Sequence, residues 1–148
     1  MGTTPVGAPC RESKDREDDV DVTQLVATMP FAEANSIEVQ TATPDEVRGT
    51  MPWAAERCTI GGLLHGGALM LLADSLGAIC AFLNLPDGAG TSTIESKSNL
   101  FRGVREGVVH GVSRPLHVGR TTIAVQTELR DDQDRLVAMT IQTQAVLA

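Results

Sequence analysis

The sequence predicts an α+β fold in which an antiparallel sheet curls around one long central helix. A single long apolar segment, from His65 to Leu83, has the length of a helix, and segments with the residue types and alternation of strands lie on both sides of it. Because the helix is apolar nearly all round, it must be enclosed. A curled sheet is the arrangement that leaves none of its apolar faces in water.

The chain is predicted to have an acidic disordered tail, residues 1–20, followed by a single domain, residues 21–148. The tail consists of small residues and then a dense charge run from Arg11 to Asp19, with almost nothing to bury. The remaining length suits one hydrophobic core. At its start, Asp21 to Met29 has apolar residues at helical spacing, and Pro30 is expected to close this short helix.

Six segments are predicted to be strands, two before the long helix and four after it. They are Ala34 to Thr43, Asp45 to Trp53, Thr91 to Phe101, Gly107 to Val118, Thr121 to Arg130 and Leu136 to Leu147. The turn residues Thr43-Pro44-Asp45 make the first two a hairpin, and tight turns at Gly119-Arg120 and Asp131 to Asp134 make the last three an antiparallel meander. Thr121 to Arg130 alternates cleanly, which predicts one buried face and one face in water.

Composition excludes several classes of function. A net charge of −7 and a pI near 4.8 argue against nucleic-acid partners, which require clustered basic residues. The three cysteines share no metal-ligand spacing, and with no secretion signal they favour a reducing cytoplasm. The apolar run from Gly61 to Leu85 is interrupted by His65 and Asp74, so we expect a buried helix and no membrane span. His110 and His117 alone make no metal site.

The tripeptide His65-Gly66-Gly67 stands at the predicted start of the long helix. Backbone N–H groups without partners and the positive end of the helix dipole form a site there for a developing oxyanion. Glycine also lets a ligand approach the backbone closely. The alternative is that the glycines only permit a tight turn into the helix, with His65 as a capping residue. The position before an apolar helix favours the oxyanion site.

Asp74 lies in the middle of the same apolar helix. A buried carboxylate needs a partner, a wet boundary or a function that retains it. It shares a helical stripe with Met70, Gly77 and Ala81, and the small residues of this stripe leave room for a substrate or a neighbouring helix. An ordinary solvated or ion-paired aspartate is the alternative, but a helix with no wet face has nowhere to place one.

Gly66 and Asp74 are eight residues apart, which corresponds to about 12 Å along a helix axis. They cannot act on the same carbonyl group from one chain. If two subunits pair about a two-fold axis with their helices antiparallel, Gly66 of one helix lies opposite Asp74 of the other, and two composite sites result. The sequence therefore predicts a homodimer or a dimer of dimers.

His65-Gly66-Gly67 with an aspartate nine residues after the histidine resembles the phenylacetate-pathway (PaaI) branch of the hotdog-fold thioesterases, which is related to the 4-hydroxybenzoyl-CoA thioesterases. The resemblance extends from about Met29 to the C-terminus. It implies hydrolysis of an acyl-CoA thioester to a free acid and coenzyme A, with no cofactor besides the coenzyme A of the substrate.

The resemblance also implies roles for individual residues. The N–H at Gly66 would hold the thioester oxygen, Asp74 would activate water or attack directly, His65 would fix the loop, and Thr93 would help to position the water. Around them, the candidates for contacts with substrate or coenzyme A are Thr59, Gly67, Arg102 and Arg120, with Arg105 and Arg114 as further candidates for its phosphates. Many relatives have asparagine at the position of Thr59, and a hydroxyl lacks the reach and paired groups of an amide.

Two other functions are compatible with the fold. One is an acyl-thioester dehydratase or hydratase, although the motifs that pair an acid with a catalytic histidine are missing. The other is a non-catalytic module that binds acyl-CoA, for which Thr59 is the only indication. Cys80 is expected to be a core residue and Glu95 a strand-face charge.

Overall fold

The computed structural model of the chain describes residues 21–147, so the predicted tail lies outside the described residues. One long helix packs against a single six-stranded sheet. The helices are α1 (Val22–Ala27), α2 (Pro30–Ala34) and α3 (Gly66–Phe82), and two short 3₁₀ turns cover Ala55–Arg57 and Ile60–Gly62. The strands are β1 (Glu38–Ala42), β2 (Val47–Pro52), β3 (Gly90–Leu100), β4 (Val108–Val118), β5 (Thr122–Arg130) and β6 (Leu136–Leu147).

The strand order in the sheet is β1-β2-β4-β5-β6-β3, and all neighbouring strands are antiparallel. The predicted β1–β2 hairpin and the β4–β5–β6 meander are both present. The first strand after α3 crosses the sheet and pairs with the last one, so β3 forms one edge and β1 the other. This is the curled sheet around a central helix that the sequence predicts, and the prediction of a hotdog fold is confirmed.

The role of Pro30 and the start of the first strand were predicted incorrectly. Pro30 does not close the first helix but occupies the first turn of a second one, α2, which extends to Ala34. Proline suits this position because it has no N–H to leave unsatisfied and its fixed φ is already helical. As a result Ala34 is helical, and the first strand begins only at Glu38.

The core lies between α3 and the concave face of the sheet. The predicted inner face of β5 is fully buried, and Leu72 and Leu76 of α3 pack in the same core cluster. A Cβ atom at Gly49 or Gly111 would lie about 2.6 or 2.5 Å from a methyl group of Leu76. These two glycines therefore allow the helix to approach β2 and β4 closely.

One face of α3 is not enclosed in the single chain, contrary to the sequence-based expectation. Met70 is 42% exposed and Phe82 is 51% exposed, and Asp74 is half-buried. The sheet covers only one side of the helix, and the edge strand β3 is exposed along most of its eleven residues. Within residues 21–147, no helix is both long enough and apolar enough to cross a bilayer.

Candidate active site

Asp74 faces the strands β3 and β6 from the middle of α3. Its Oδ1 atom accepts a hydrogen bond from the Thr93 hydroxyl at 3.1 Å and another from the Gln142 side-chain amide at 3.3 Å. Among the described residues, none donates a hydrogen bond to Oδ2. One carboxylate oxygen is therefore held by the protein, while the other remains available to water or to a substrate.

The direction of the Thr93 hydroxyl is fixed by a second amide. Gln144 donates from Nε2 to the Thr93 oxygen at 2.6 Å. An amide nitrogen can only donate, so the Thr93 proton is left to point at Asp74. The Thr91 hydroxyl lies 3.2 Å from the Gln144 Oε1 atom and donates at 2.9 Å to the Ala145 carbonyl oxygen. The result is a directed series of hydrogen bonds from β6 through β3 to the carboxylate.

A β-bulge places Thr93 on the helix side of the sheet. Thr93 pairs with Gln144 and Glu95 pairs with Thr143, with the register shift between them at Ile94. The extra residue reverses the alternation, so Thr93 and Glu95 point to opposite faces although they are two positions apart. Glu95 is thus an exposed strand-face charge, as expected.

The start of α3 is capped by the residue before it. The His65 ring accepts a hydrogen bond at Nδ1 from the Gly67 N–H at 2.8 Å. This occupies one of the two glycine N–H groups that the sequence suggested as oxyanion donors. The Gly66 N–H has no acceptor among the described residues, so the capping alternative describes His65 and Gly67 while Gly66 keeps a free donor.

Thr59 lies in the loop before α3, and its side chain is exposed. Its backbone N–H donates to Leu63 at 2.7 Å, but its hydroxyl has no hydrogen-bond partner in the part of the chain that the structure describes. The loop itself is fixed from two sides, since the His65 and Leu64 N–H groups donate to Arg57 and Val104. Thr59 is therefore available to a ligand.

The structure separates the candidate arginines. Arg102 follows the end of β3 and its backbone N–H donates to Val137 at the start of β6. Arg120 lies between β4 and β5, beside the end of β6, about 25 Å away along that strand. One chain cannot bring both side chains to the same phosphate group. The other two candidates are already engaged, Arg114 with Glu46 and Arg105 with the Gly61 carbonyl.

The space expected along the Asp74 stripe is filled by the protein at one point. A Cβ atom at Gly77 would lie 2.3 Å from the Oε1 atom of Gln142, so the glycine makes room for that amide. Ala81 is fully buried. Only the Met70 end of the stripe remains open to a substrate or a second helix.

A surface depression of about 380 Å³ lies away from Asp74, between the loop 103–107 and the turn 131–135. Its charged groups are largely paired with one another or with neighbours, Arg135 with Asp131 and His110 with Asp132, each at 2.8 Å. Asp74 therefore remains the candidate for the catalytic group. Within residues 21–147, no group of three His, Cys, Asp or Glu side chains has the arrangement of a metal site.

Sequence reasoning missed Gln142 and Gln144, the two amides beneath the carboxylate. Both are fully buried although they lie in a strand whose other face carries Met139 and Ile141. The available signal was the spacing of Thr140, Gln142 and Gln144, which places three polar side chains on one face of a predicted strand. Hydropathy alone would have assigned that face to water.

Comparisons with known proteins identify the family of the chain. The profile of the Thioesterase superfamily matches residues 61–138, which is more than half of the chain and includes α3 and Asp74. A 1,4-dihydroxy-2-naphthoyl-CoA hydrolase of Escherichia coli is 36% identical over 103 residues, covering 70% of this chain and 76% of that protein. The proofreading thioesterase EntH of Cronobacter sakazakii is 34% identical over 103 residues, covering 70% and 75%.

Solved structures give the same result. The crystal structure of a mutant thioesterase from Pseudomonas aeruginosa superposes with a TM-score of 0.83 at 29% identity, covering 88% of this chain and 96% of that one. The fold and the relatives together define a hydrolase of thioesters with a hotdog fold. The chain belongs to the Thioesterase superfamily.

Proposed function

We propose that this chain hydrolyses an acyl-CoA thioester to the free acid and coenzyme A, in the manner of the PaaI and 4-hydroxybenzoyl-CoA thioesterases. The observation that carries the proposal is the state of Asp74, a half-buried carboxylate with Oδ1 held by two donors and Oδ2 free. The Escherichia coli relative is a 1,4-dihydroxy-2-naphthoyl-CoA hydrolase, and this supports coenzyme A as the thiol of the substrate.

The Gly66 N–H holds the thioester oxygen as charge develops on it. This donor lies at the positive end of a seventeen-residue helix and has no acceptor among the described residues. Asp74 either takes a proton from the attacking water or attacks the carbonyl carbon itself. In both routes the C–S bond breaks, the thiolate leaves and is protonated, and one water molecule is consumed.

The two groups come from different subunits. Gly66 and Asp74 are about 12 Å apart along α3, too far to meet at one carbonyl within a chain. In the described part of the chain, β3 has a hydrogen-bonded neighbour on one side, and its open edge and the exposed face of α3 supply a surface for a second copy. A two-fold axis at this surface generates two identical composite sites.

The remaining candidates have supporting roles. His65 fixes the first turn of α3 through the Gly67 N–H, and Thr93 orients the carboxylate. The free hydroxyl of Thr59 faces the substrate from the loop before α3. Arg102 is the arginine at the Gly66 end of the sheet, because Leu100 contacts Gly66, so it is our candidate for a coenzyme A phosphate.

The substitution Asp74→Asn tests the catalytic assignment. It keeps the shape of the side chain and its ability to accept a hydrogen bond from Thr93 but removes the ionisable group, so kcat should fall by about a hundredfold or more while the fold persists. Release of free thiol from a panel of aliphatic and aromatic acyl-CoAs provides the measurement.

The matched control is Glu95→Gln, which removes an exposed carboxylate from the same region. If Asp74→Asn retains the parental rate and Glu95→Gln does not, the catalytic assignment is wrong. If the parent protein binds acyl-CoA with no thiol release at all, the chain is a binding module.

A further inference from the structure

Gln142 is a fully buried amide that the fold keeps in place at the carboxylate. It lies on the inner face of β6, and its Nε2 atom is 3.3 Å from Asp74 Oδ1 and 3.4 Å from the Asp74 carbonyl oxygen. Its Oε1 atom is buried, and among the described residues nothing donates a hydrogen bond to it. A buried acceptor without a donor destabilises the folded protein, so its retention requires an explanation.

The neighbours of Gln142 fix the orientation of its amide. If the amide were turned over, Oε1 would face the carbonyl and carboxylate oxygens of Asp74, and three acceptors would meet without a proton between them. The donor must therefore point at Asp74, and the unpartnered Oε1 atom is the consequence. The protein accepts an unsatisfied atom in its interior in order to present an N–H group to the carboxylate.

The helix is shaped to admit this amide. A Cβ atom at Gly77 would lie 2.3 Å from Oε1 and 2.5 Å from Cδ of Gln142. Glycine in a helix interior is less stable than alanine, so this position also has a cost that the contact with Gln142 explains. The glycine at position 77 and the unpartnered Oε1 atom of Gln142 each make the fold less stable. Both are explained by the contact between the Gln142 amide and Asp74.

We propose that Gln142 is a positioning residue, which together with Thr93 holds Oδ1 of Asp74 so that Oδ2 is presented to the reacting carbonyl or water. This inference rests on the proposed function. It assigns a role to a residue of β6, which lies outside the motif formed by His65-Gly66-Gly67 and Asp74. Since Gln142 contacts the carboxylate of Asp74 only at the bound oxygen Oδ1, it acts through Asp74 and does not touch the substrate.

The test is the substitution Gln142→Met, which keeps the length of the side chain and removes both the donor and the unsatisfied acceptor. We expect kcat to fall about tenfold, because a hydrogen bond to a charged group is lost, with KM unchanged within about twofold. We also expect the melting temperature to be equal to or higher than that of the parent, since an apolar side chain of similar shape replaces a strained polar one.

Thr140→Val is the matched control. Thr140 lies on the same face of β6, is equally buried and hydrogen-bonds to Ser98 at 2.7 Å without contacting Asp74, so its loss should leave kcat at the parental value. A second variant, Gly77→Ala, should lower kcat by displacing the Gln142 amide. In a protein that already carries Gln142→Ala, the substitution Gly77→Ala should lower kcat no further, because no amide remains to be displaced.

The outcomes separate this inference from the proposed function. A parental kcat in Gln142→Met, in a protein that Asp74→Asn inactivates, overturns the positioning role and leaves the thioesterase proposal intact. A lower melting temperature with parental kcat assigns Gln142 to the structural core and likewise overturns it. An Asp74→Asn protein with parental kcat instead refutes the catalytic assignment of Asp74, and a parent protein that releases no thiol from any acyl-CoA refutes the proposed function itself.

Discussion

Burial changes the chemistry of the Cys80 thiol. Cys80 lies in α3 and is fully buried in the core. Burial raises the pKa of its thiol to about 11, with a smaller contribution from the negative charge of Asp45. The thiolate is the reactive form of cysteine, and at pH 8 about one thiol in a thousand would be ionised. Cys80 is therefore a packing residue, as the sequence indicated.

We predict that iodoacetamide does not modify Cys80 in the folded protein at pH 8, whereas it modifies the half-buried Cys58. Peptide mass spectrometry after alkylation, with and without denaturant, measures both sites in one sample. Cys58 is the internal reference for the reagent. Labelling of Cys80 at the rate of Cys58 under native conditions would show that α3 opens locally.

Elements were predictable where burial and hydropathy agree. The alternation of β5 correctly identified Ile123, Val125, Thr127 and Leu129 as the buried face, and the limits of α3 were correct to one residue at each end because His65 and Leu83 are its caps. Both features depend on local pattern.

Elements were not predictable where long-range contacts decide. The side of the sheet that Thr93 faces depends on a bulge at Ile94, and the burial of Gln142 depends on a glycine 65 positions earlier in the chain. Neither is visible in the local hydropathy of its strand. The motif around Asp74 could be found from sequence, whereas the amides that hold its carboxylate could not.

The turn between β5 and β6 is linked to β4 through Asp132. Its side chain accepts hydrogen bonds from the His110 ring at 2.8 Å and from the Val108 N–H at 3.0 Å, and these hydrogen bonds lower the pKa of Asp132 from its usual value. A carboxyl with a lowered pKa in the folded state stabilises the fold above its unfolded pKa, near 4. This contribution is lost as the pH falls through the folded value.

We predict that Asp132→Asn lowers the melting temperature at pH 7 and that the difference from the parent shrinks as the pH falls below about 4 and through the lowered pKa of the folded Asp132. Thermal unfolding followed by circular dichroism over this range provides the measurement. Glu106→Gln serves as control and should leave the melting temperature unchanged. Glu106 is an exposed carboxylate that lines, like Asp132, the surface depression between the loop 103–107 and the turn 131–135. A constant difference between Asp132→Asn and the parent at all pH values would mean that ionisation of Asp132 contributes nothing.

At the scale of the whole molecule, the proposed active site is incomplete in the single chain. Its carboxylate and its free helix N-terminus are separated by eight residues of α3, and the helix face between them, with Met70, is exposed. Among the strands of residues 21–147, the adjoining edge strand β3 has a partner on one side, which leaves its other row of backbone groups open. An exposed apolar helix face beside an open strand edge is a typical surface for association of two copies.

The composite site makes a quantitative prediction for mixed subunits. Asp74→Asn subunits lack the carboxylate, and Gly66→Val subunits lack a usable oxyanion donor because the added side chain meets Leu100, 2.7 Å from the position of its Cβ atom. After complete exchange of equal amounts, half of the dimers are mixed, and each contains one site with both defects and one with none. Total activity should therefore recover to about a quarter of the parental value from two nearly inactive preparations.

Thiol release, with native mass spectrometry to count mixed dimers, measures both quantities, and the two unmixed preparations treated in the same way are the controls. Abundant mixed dimers without recovered activity would place both groups in the same subunit's site and exclude the two-fold arrangement.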